Sequence, residues 1–236
     1  MHTAADPKPR QAFRPSEYTA ALLGAMRRRP DLAEGASVLD VGCGSGVLLA
    51  AAGALGARHL CGVDREAEAV EETLRLLRAV GLGDRREAHR GHLFDPVRGR
   101  AFDLVVANLP HFPMEAVPHG DRRPSWSGGG ADGRALMDPF LSGLSAHLAP
   151  GGQALLVHNA FIGIEATRLI LAGEGLEARV VDTVVVSVPQ EKVALMTPDV
   201  LARESGRTIH RIGPHTFAEV LVLAIGRGAG KSPAAS

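Results

Sequence analysis

"SVLDVGCGSGVLLAAA", Ser37 to Ala52, decides how the rest of the chain reads. Val38–Val41 is a short apolar run with β-branched residues, the length of a buried strand and too short for a helix. Gly42, Gly44 and Gly46 follow at alternate positions, and a helical pattern, Gly46–Leu55, begins at once. Glycine has no Cβ, so the backbone can turn sharply and come close to a ligand at the carboxyl end of the strand. The spacing is Gly-x-Gly-x-Gly, whereas dinucleotide binders use Gly-x-Gly-x-x-Gly. Asp40 precedes the first glycine; a carboxylate there would repel a pyrophosphate and suits a cationic or ammonium-bearing ligand. Asp64 stands 18 residues after Gly46 at the end of the next apolar run, His59–Val63. An acidic group in that place can accept hydrogen bonds from both ribose hydroxyls.

Outward from this unit, strand and helix patterns alternate. Ser16–Arg29 reads as a helix with Ser16 as N-cap and Pro30 beyond its end. A helix over Arg65–Val80, a weaker strand near Arg86–His89 and a strand over Phe102–Ala107 come next. Ala135–Leu148 and Ile164–Ala172 are predicted helices; Ala154–His158, Ala178–Val188 and Phe217–Ile225 are predicted strands. Such alternation implies an α/β, Rossmann-like, mostly parallel sheet with helices on both faces. The domain is expected over residues 16–227, preceded by a flexible arm, 1–15, and followed by a disordered tail, 228–236. Residues 189–216 separate two strands that a short turn could join, so they read either as a lid over the site or as surface decoration. "GRGAGKS" in the tail lacks the first glycine and the following helix of a phosphate-binding loop.

Bulk properties narrow the classes. The chain has 236 residues, 45% of them hydrophobic, which suits one substantial globular domain. The formal net charge is zero, so there is no overall electrostatic footprint for nucleic acid, and nucleic-acid binding is not expected. Arg27-Arg28-Arg29, Arg85-Arg86 and Arg122-Arg123 read as solvated surface. Cys43 and Cys61 offer neither a disulfide framework nor metal spacing, and the histidines show no ligand pattern, so no metal is expected. No apolar run reaches transmembrane length and no signal-peptide core is present; a cytoplasmic location is expected.

"VLDVGCGSG" followed by "LCGVD" resembles the class I S-adenosylmethionine-dependent methyltransferases. The resemblance implies a seven-stranded sheet whose last strand is antiparallel, with S-adenosylmethionine as cofactor. It places Asp40 and the loop Gly42, Cys43, Gly44 and Gly46 near the methionine part, and Asp64, with Arg65 beside it, at the ribose. Where such enzymes carry Gly-Asp-Leu-Phe against the adenine, this chain has "GHLFDP", which puts His92 and Leu93 in that position.

"FDLVVANLPHF", Phe102–Phe112, reads as a strand and the turn after it, which the resemblance places beside the transferred methyl. Its Asn108-Leu109-Pro110-His111 resembles the Asn-Pro-Pro-Tyr motif of enzymes that methylate planar nitrogens, among them the release-factor glutamine N5-methyltransferases. An amide nitrogen is a poor nucleophile because its lone pair is delocalised. A side-chain oxygen on Asn108 and the Leu109 carbonyl can take its two hydrogens and aim it, with Pro110 stiffening the turn. "GGGADGRALMDPFL" and "LAPGGQALLVHN" resemble segments of the glutamine enzymes. "FRPSEYTAALLGAM" resembles their opening helix, which puts Glu17 and Thr19 among the cofactor contacts. The acceptor implied is a protein glutamine or a planar nitrogen on a small molecule. Leu109 and His111 depart from the motif. An imidazole can stack on an acceptor but can also take a proton, so a tailoring O-, N- or C-methyltransferase is a second reading. There His111, with His158 or His215, would be general base. A non-catalytic cofactor-binding scaffold is the reading from another class.

Overall fold

The computed structural model describes residues 15–114 and 128–228. The expected arm up to residue 14, the tail from residue 229 with its loop look-alike, and Arg122-Arg123 lie outside the described residues. In chain order the elements are α1 (Glu17–Arg28), β1 (Ser37–Val41), α2 (Val47–Ala54), β2 (His59–Asp64), α3 (Ala67–Ala79), β3 (Arg86–Arg90) and β4 (Phe102–Ala107). Then come α4 (Met137–Leu144), β5 (Leu148–Asn159), α5 (Ile164–Gly173), β6 (Leu176–Val188), α6 (Gln190–Ala194), α7 (Pro198–Glu204), β7 (Ile209–Ile212) and β8 (His215–Arg227).

The strands form one sheet in the order β3-β2-β1-β4-β5-β8-β6, with β7 added on β8. Pairing is parallel from β3 through β5, and β8 runs antiparallel to β5, β6 and β7. Alternate residues of the strands feed two cores. Val38, Leu104, Val106, Leu155 and Val157 pack with α1 and α2 on one face. Leu39, Val41, Val105, Ala107 and Leu156 pack with α4 and α5 on the other. The period of two in the sequence is the reason both faces can be buried at once.

β1 and β4 are neighbours, yet the chain leaves β1 toward β2 and leaves β4 toward β5. Their carboxyl ends therefore open a crevice at a topological switch point, where α/β sheets bind ligands. The glycine loop and the Asn108 turn both sit there.

The expected sheet is present, with one strand more than seven. β7 comes from the 189–216 segment, which is not a plain loop: it also carries α6 and α7. Val193, Met196 and Val200, at helical spacing, are buried there, as is Ile209 on β7. β6 and β7 pair with the same stretch of β8, so β7 lies on the edge that β5 occupies, beyond the carboxyl end of β5. β5 also begins earlier than expected, at Leu148. The pairing of Phe102 with Leu148 continues past a register shift to Leu104 with Gln153, which carries the irregular "APGG" along the sheet.

Candidate active site

At the cofactor end, the backbone N–H groups of Gly42 and Cys43 both donate to the Val63 carbonyl, at 2.8 and 3.1 Å, pinning the loop to β2. Gly42 and Gly46 hold φ of +80° and +78°, a region costly for any residue with a Cβ. A Cβ at Gly46 would also stand 2.8 Å from the Thr73 Cα on α3. Thr73 itself, buried, turns its hydroxyl to the Gly44 carbonyl at 3.2 Å with the Cys43 sulfur at 3.3 Å. Sequence reading missed Thr73; its only signal was a hydroxyl on the apolar face of an amphipathic helix.

Asp40 is fully buried, and neither of its carboxylate oxygens has a hydrogen-bond partner among the described residues. Burial, and after it the charge of Asp64, pushes the Asp40 carboxyl well above its usual range. The Asp64 carboxylate accepts from Gly44 N–H at 3.0 Å and from Glu66 N–H at 2.9 Å, one bond to each oxygen. Burial raises its pKa while those bonds oppose the rise. Each Asp64 oxygen keeps lone-pair capacity, and Asp40 is a buried acceptor awaiting a partner. Two such carboxylates beside a close-approach glycine loop fit a ligand that is cationic at one end and carries hydroxyl donors at the other, as S-adenosylmethionine is. Arg65 and His92 are exposed, and Leu93 is half-buried with φ of +45°, the one left-handed non-glycine residue among the described residues.

At the acceptor end, Asn108 leaves β4 and donates from Nδ2 to the Thr19 hydroxyl at 3.2 Å. Thr19, 2% exposed, also accepts from the Ser16 N–H at 3.4 Å. The structure thus brings Thr19 to Asn108, and the neighbouring Tyr18 ring meets the His111 ring edge-to-face at 5.8 Å. Burial, then the charge of Glu17, pushes the Tyr18 hydroxyl up to about 12.

His111 is buried, with Nδ1 hydrogen-bonded to the Leu109 carbonyl. A carbonyl only accepts, so Nδ1 carries the hydrogen and Nε2, which has no partner among the described residues, presents a lone pair. Burial pushes the His111 pKa down to about 4; the Leu109 bond opposes this and Lys192 adds to it. Such an imidazole is neutral at physiological pH and has little affinity for a proton. His158 is buried too, held to the Thr167 hydroxyl at 2.8 Å and pushed by burial to about 3. His215 is exposed at the start of β8.

Two glycines clamp the turn. A Cβ at Gly129 would lie 2.7 Å from the His111 Cα, and one at Gly133 would lie 2.8 Å from the His111 carbonyl and 2.6 Å from the Ile162 side chain. Gly129 N–H donates to the Phe112 carbonyl at 2.7 Å, and the Asn159 amide donates to the His111 carbonyl at 3.3 Å. Arg134, also missed, is buried beneath them and donates to the Ile162 carbonyl at 3.0 Å and the Thr167 hydroxyl at 3.2 Å. From the 189–216 segment, Thr197 donates to the Pro113 carbonyl through N–H at 2.8 Å and hydroxyl at 3.1 Å, and the Lys192 ammonium stands 4.4 Å from the Phe112 ring centre.

Away from this crevice, Cys61, Glu87 and His89 bring potential metal ligands within 4.8 Å of one another on β2 and β3. The Glu87 carboxylate there is already bonded to His89 at 2.8 Å and to the Arg100 guanidinium, which holds its pKa down to about 2 despite burial.

Residues 19–115 match the family described as ribosomal protein L11 methyltransferase. The chain is 33% identical over 171 residues to the release factor glutamine methyltransferase of Xylella fastidiosa, covering 70% of this chain and 61% of the relative. It is 34% identical over 128 residues to the ribosomal RNA small subunit methyltransferase C of Chromohalobacter salexigens, covering 54% of this chain and 33% of the relative. Among solved structures, the 16S rRNA N2 G1207 methyltransferase of T. thermophilus in complex with AdoMet and guanosine superposes with a TM-score of 0.55 at 21% identity, over 91% of this chain and 44% of that one. The chain carries the fold of the class I S-adenosylmethionine-dependent methyltransferases and, at Val38–Gly46, a glycine loop like theirs. Within that class its sequence is similar to release factor glutamine and ribosomal methyltransferases, and it spans one third to about three fifths of the length of these curated relatives.

Proposed function

We propose that this chain transfers a methyl group from S-adenosylmethionine to a planar amide or amino nitrogen, and that a protein glutamine is the acceptor. One observation carries the reading: Asn108 stands at the end of β4 with Nδ2 3.2 Å from the Thr19 hydroxyl, an orientation in which Oδ1 has no hydrogen bond among the described residues. An acceptor N–H bound to Oδ1 and a second bound to the Leu109 carbonyl would hold the nitrogen in one orientation, with its lone pair directed at the reacting carbon. His111 uses one lone pair of that carbonyl and leaves the other. Bound S-adenosylmethionine supplies an electrophilic methyl on a sulfonium. In this reading Asp40 and the loop Gly42, Cys43, Gly44 and Gly46 hold its methionine end, Asp64 with Arg65 beside it its ribose, and His92 and Leu93 flank its adenine.

A pKa of about 4 makes His111 a weak base, so it serves better as the wall of the acceptor pocket than as the residue that takes a proton. The relatives named above act on release factors, ribosomal protein and ribosomal RNA, so translation is the setting we assign. Zero net charge favours a protein over an RNA acceptor. Residues 16–227 form one methyltransferase domain in this account, with 189–216 as the wall over the acceptor.

The test compares Asn108→Ala with His111→Phe in transfer of labelled methyl to a Gly-Gly-Gln peptide and to a panel of amide and amino acceptors. Asn108→Ala should lower turnover by several powers of ten, and His111→Phe should be mild. The reverse order, with His111→Phe costing about 10²–10⁴-fold, would replace this reading with base catalysis.

A further inference from the structure

Outside the crevice, β2 and β3 lie side by side with Cys61 opposite Glu87 and Val63 opposite His89. Side chains two apart on a strand share a face, so His59, Cys61, Glu87 and His89 all stand on one face of the sheet. Cys61 belongs there to the core that holds Phe94, Val97 and Phe102. The Cys61 sulfur, a Glu87 carboxylate oxygen and a His89 ring nitrogen lie within 4.8 Å of one another. His89 Nε2 stands 2.8 Å from Glu87 Oε2, and His59 Nε2 adds a fourth donor 3.2 Å from Oε1. We propose that these four side chains form a zinc site that fastens β3 to β2.

The donor set selects the metal. One sulfur, two imidazole nitrogens and one carboxylate oxygen suit zinc, whereas calcium and magnesium take oxygen ligands. With bonds of about 2.0–2.3 Å, neighbouring donors around tetrahedral zinc lie about 3.3–3.6 Å apart. The His89–Glu87 pair is closer than that, and no separation among Cys61, Glu87 and His89 exceeds 4.8 Å. Shifts of about 1 Å at half-buried side chains therefore bring these donors to bonding distance, and His59 closes the fourth corner. Binding replaces the Cys61 S–H bond by a sulfur–zinc bond and releases one proton. The two charges of the ion are then met by the thiolate and the carboxylate. Arg100 is the competitor, with its guanidinium bonded to Glu87. Its side chain is 38% exposed, so it can turn to water when the metal takes the carboxylate. A fastening matters on β3, which is an edge strand paired with β2 alone and has no fully buried side chain among its five residues. The site does not show as linear spacing, because it is split into His-x-Cys on one strand and Glu-x-His on the next.

The test uses the untagged full chain with cobalt(II) and zinc(II) as probes. A tetrahedral cobalt–thiolate site absorbs in the visible and adds a sulfur-to-metal charge-transfer band in the near ultraviolet. The wild type should show both at one equivalent of cobalt, and zinc should abolish both by displacing it. Cys61→Ser should lose the charge-transfer band. His89→Gln should weaken zinc at least about tenfold, since loss of even an outer partner of a ligand costs about 10–100-fold. Arg100→Met should tighten zinc by about two- to fivefold, the worth of a partly exposed ion pair that no longer competes. Zinc should raise the Tm of the wild type and leave that of Cys61→Ser unchanged. If Cys61→Ser fails to fold, His89→Gln and Arg100→Met, both at half-exposed side chains, carry the test. No charge-transfer band in the wild type, a band that survives in Cys61→Ser, or unchanged zinc affinity in His89→Gln would mean an adventitious ion only and overturn the inference. Weaker zinc binding in Arg100→Met would overturn it too, because Arg100 would then support the site instead of competing for it.

Discussion

Replacing Asp40 by asparagine should strengthen the fold and weaken the cofactor at once. Asp40 is 0% exposed and neither oxygen has a partner among the described residues, so the ionised form has lost its water with no hydrogen bond from them in exchange. Leaving a buried acceptor unsatisfied costs about 1–3 kcal/mol, and more when it is charged. An amide of the same shape has no charge to desolvate, so Asp40→Asn should raise stability by about 1–3 kcal/mol at neutral pH, roughly 3–10 °C in Tm for a chain of this size. The sign follows from the direction of the shift. The folded carboxyl has a pKa well above 3.8, so the folded state holds a proton that the unfolded state gives up, and stability falls as pH rises between the two values. The advantage of Asp40→Asn should therefore vanish below about pH 4, where both states are protonated. A hydrogen bond to a charged group is worth about 1.5–3 kcal/mol, which makes the expected loss of S-adenosylmethionine affinity about 10- to 150-fold. Thermal unfolding across pH and calorimetry with the cofactor read the two effects. A variant that is less stable at neutral pH, or more stable with unchanged affinity, would refute the assignment of Asp40 as a partner held open for the ligand.

Two further outcomes are expected. Gly133→Ala should lose several kcal/mol of stability and most turnover, because φ of +82° and the approach to the His111 carbonyl and Ile162 leave no room for a Cβ; wild-type stability by denaturant titration would contradict that. His111, with a folded pKa of about 4 against roughly 6.5 unfolded, should add stability that is fully present above pH 6.5 and lost as pH falls toward 4. The difference in unfolding free energy between the wild type and His111→Asn should shrink over that window by up to about 3 kcal/mol, and a flat difference would mean His111 is not held neutral.

How much of this was legible depended on how local the signal was. The glycine loop, Asp64 and the strand ending at Ala107 are local patterns, and each lies where its pattern put it. The mostly parallel pairing of the sheet followed from alternation alone. Contacts between distant segments were not legible. The approach of Thr19 to Asn108 was not legible, because only the packing of α1 against the sheet brings the two together. Thr73 and Arg134 looked like ordinary helix and loop residues until α3 and α5 fixed what lay beside them. The 189–216 segment was read as a lid over the site, and the spacing of Val193, Met196 and Val200, whose burial joins it to the core, was not legible among its prolines and charges. His111 offered two chemistries in sequence, and burial, which sequence does not report, weakens one of them.

The most direct test of the account is the atom that receives the methyl. The full chain, incubated with ¹³C-methyl-labelled S-adenosylmethionine and the acceptor panel including the Gly-Gly-Gln peptide, should yield a product whose label resides on an amide or amino nitrogen by tandem mass spectrometry and NMR. Label on an oxygen or carbon, or no transfer to any nitrogen in the panel by a protein that binds the cofactor, would contradict it.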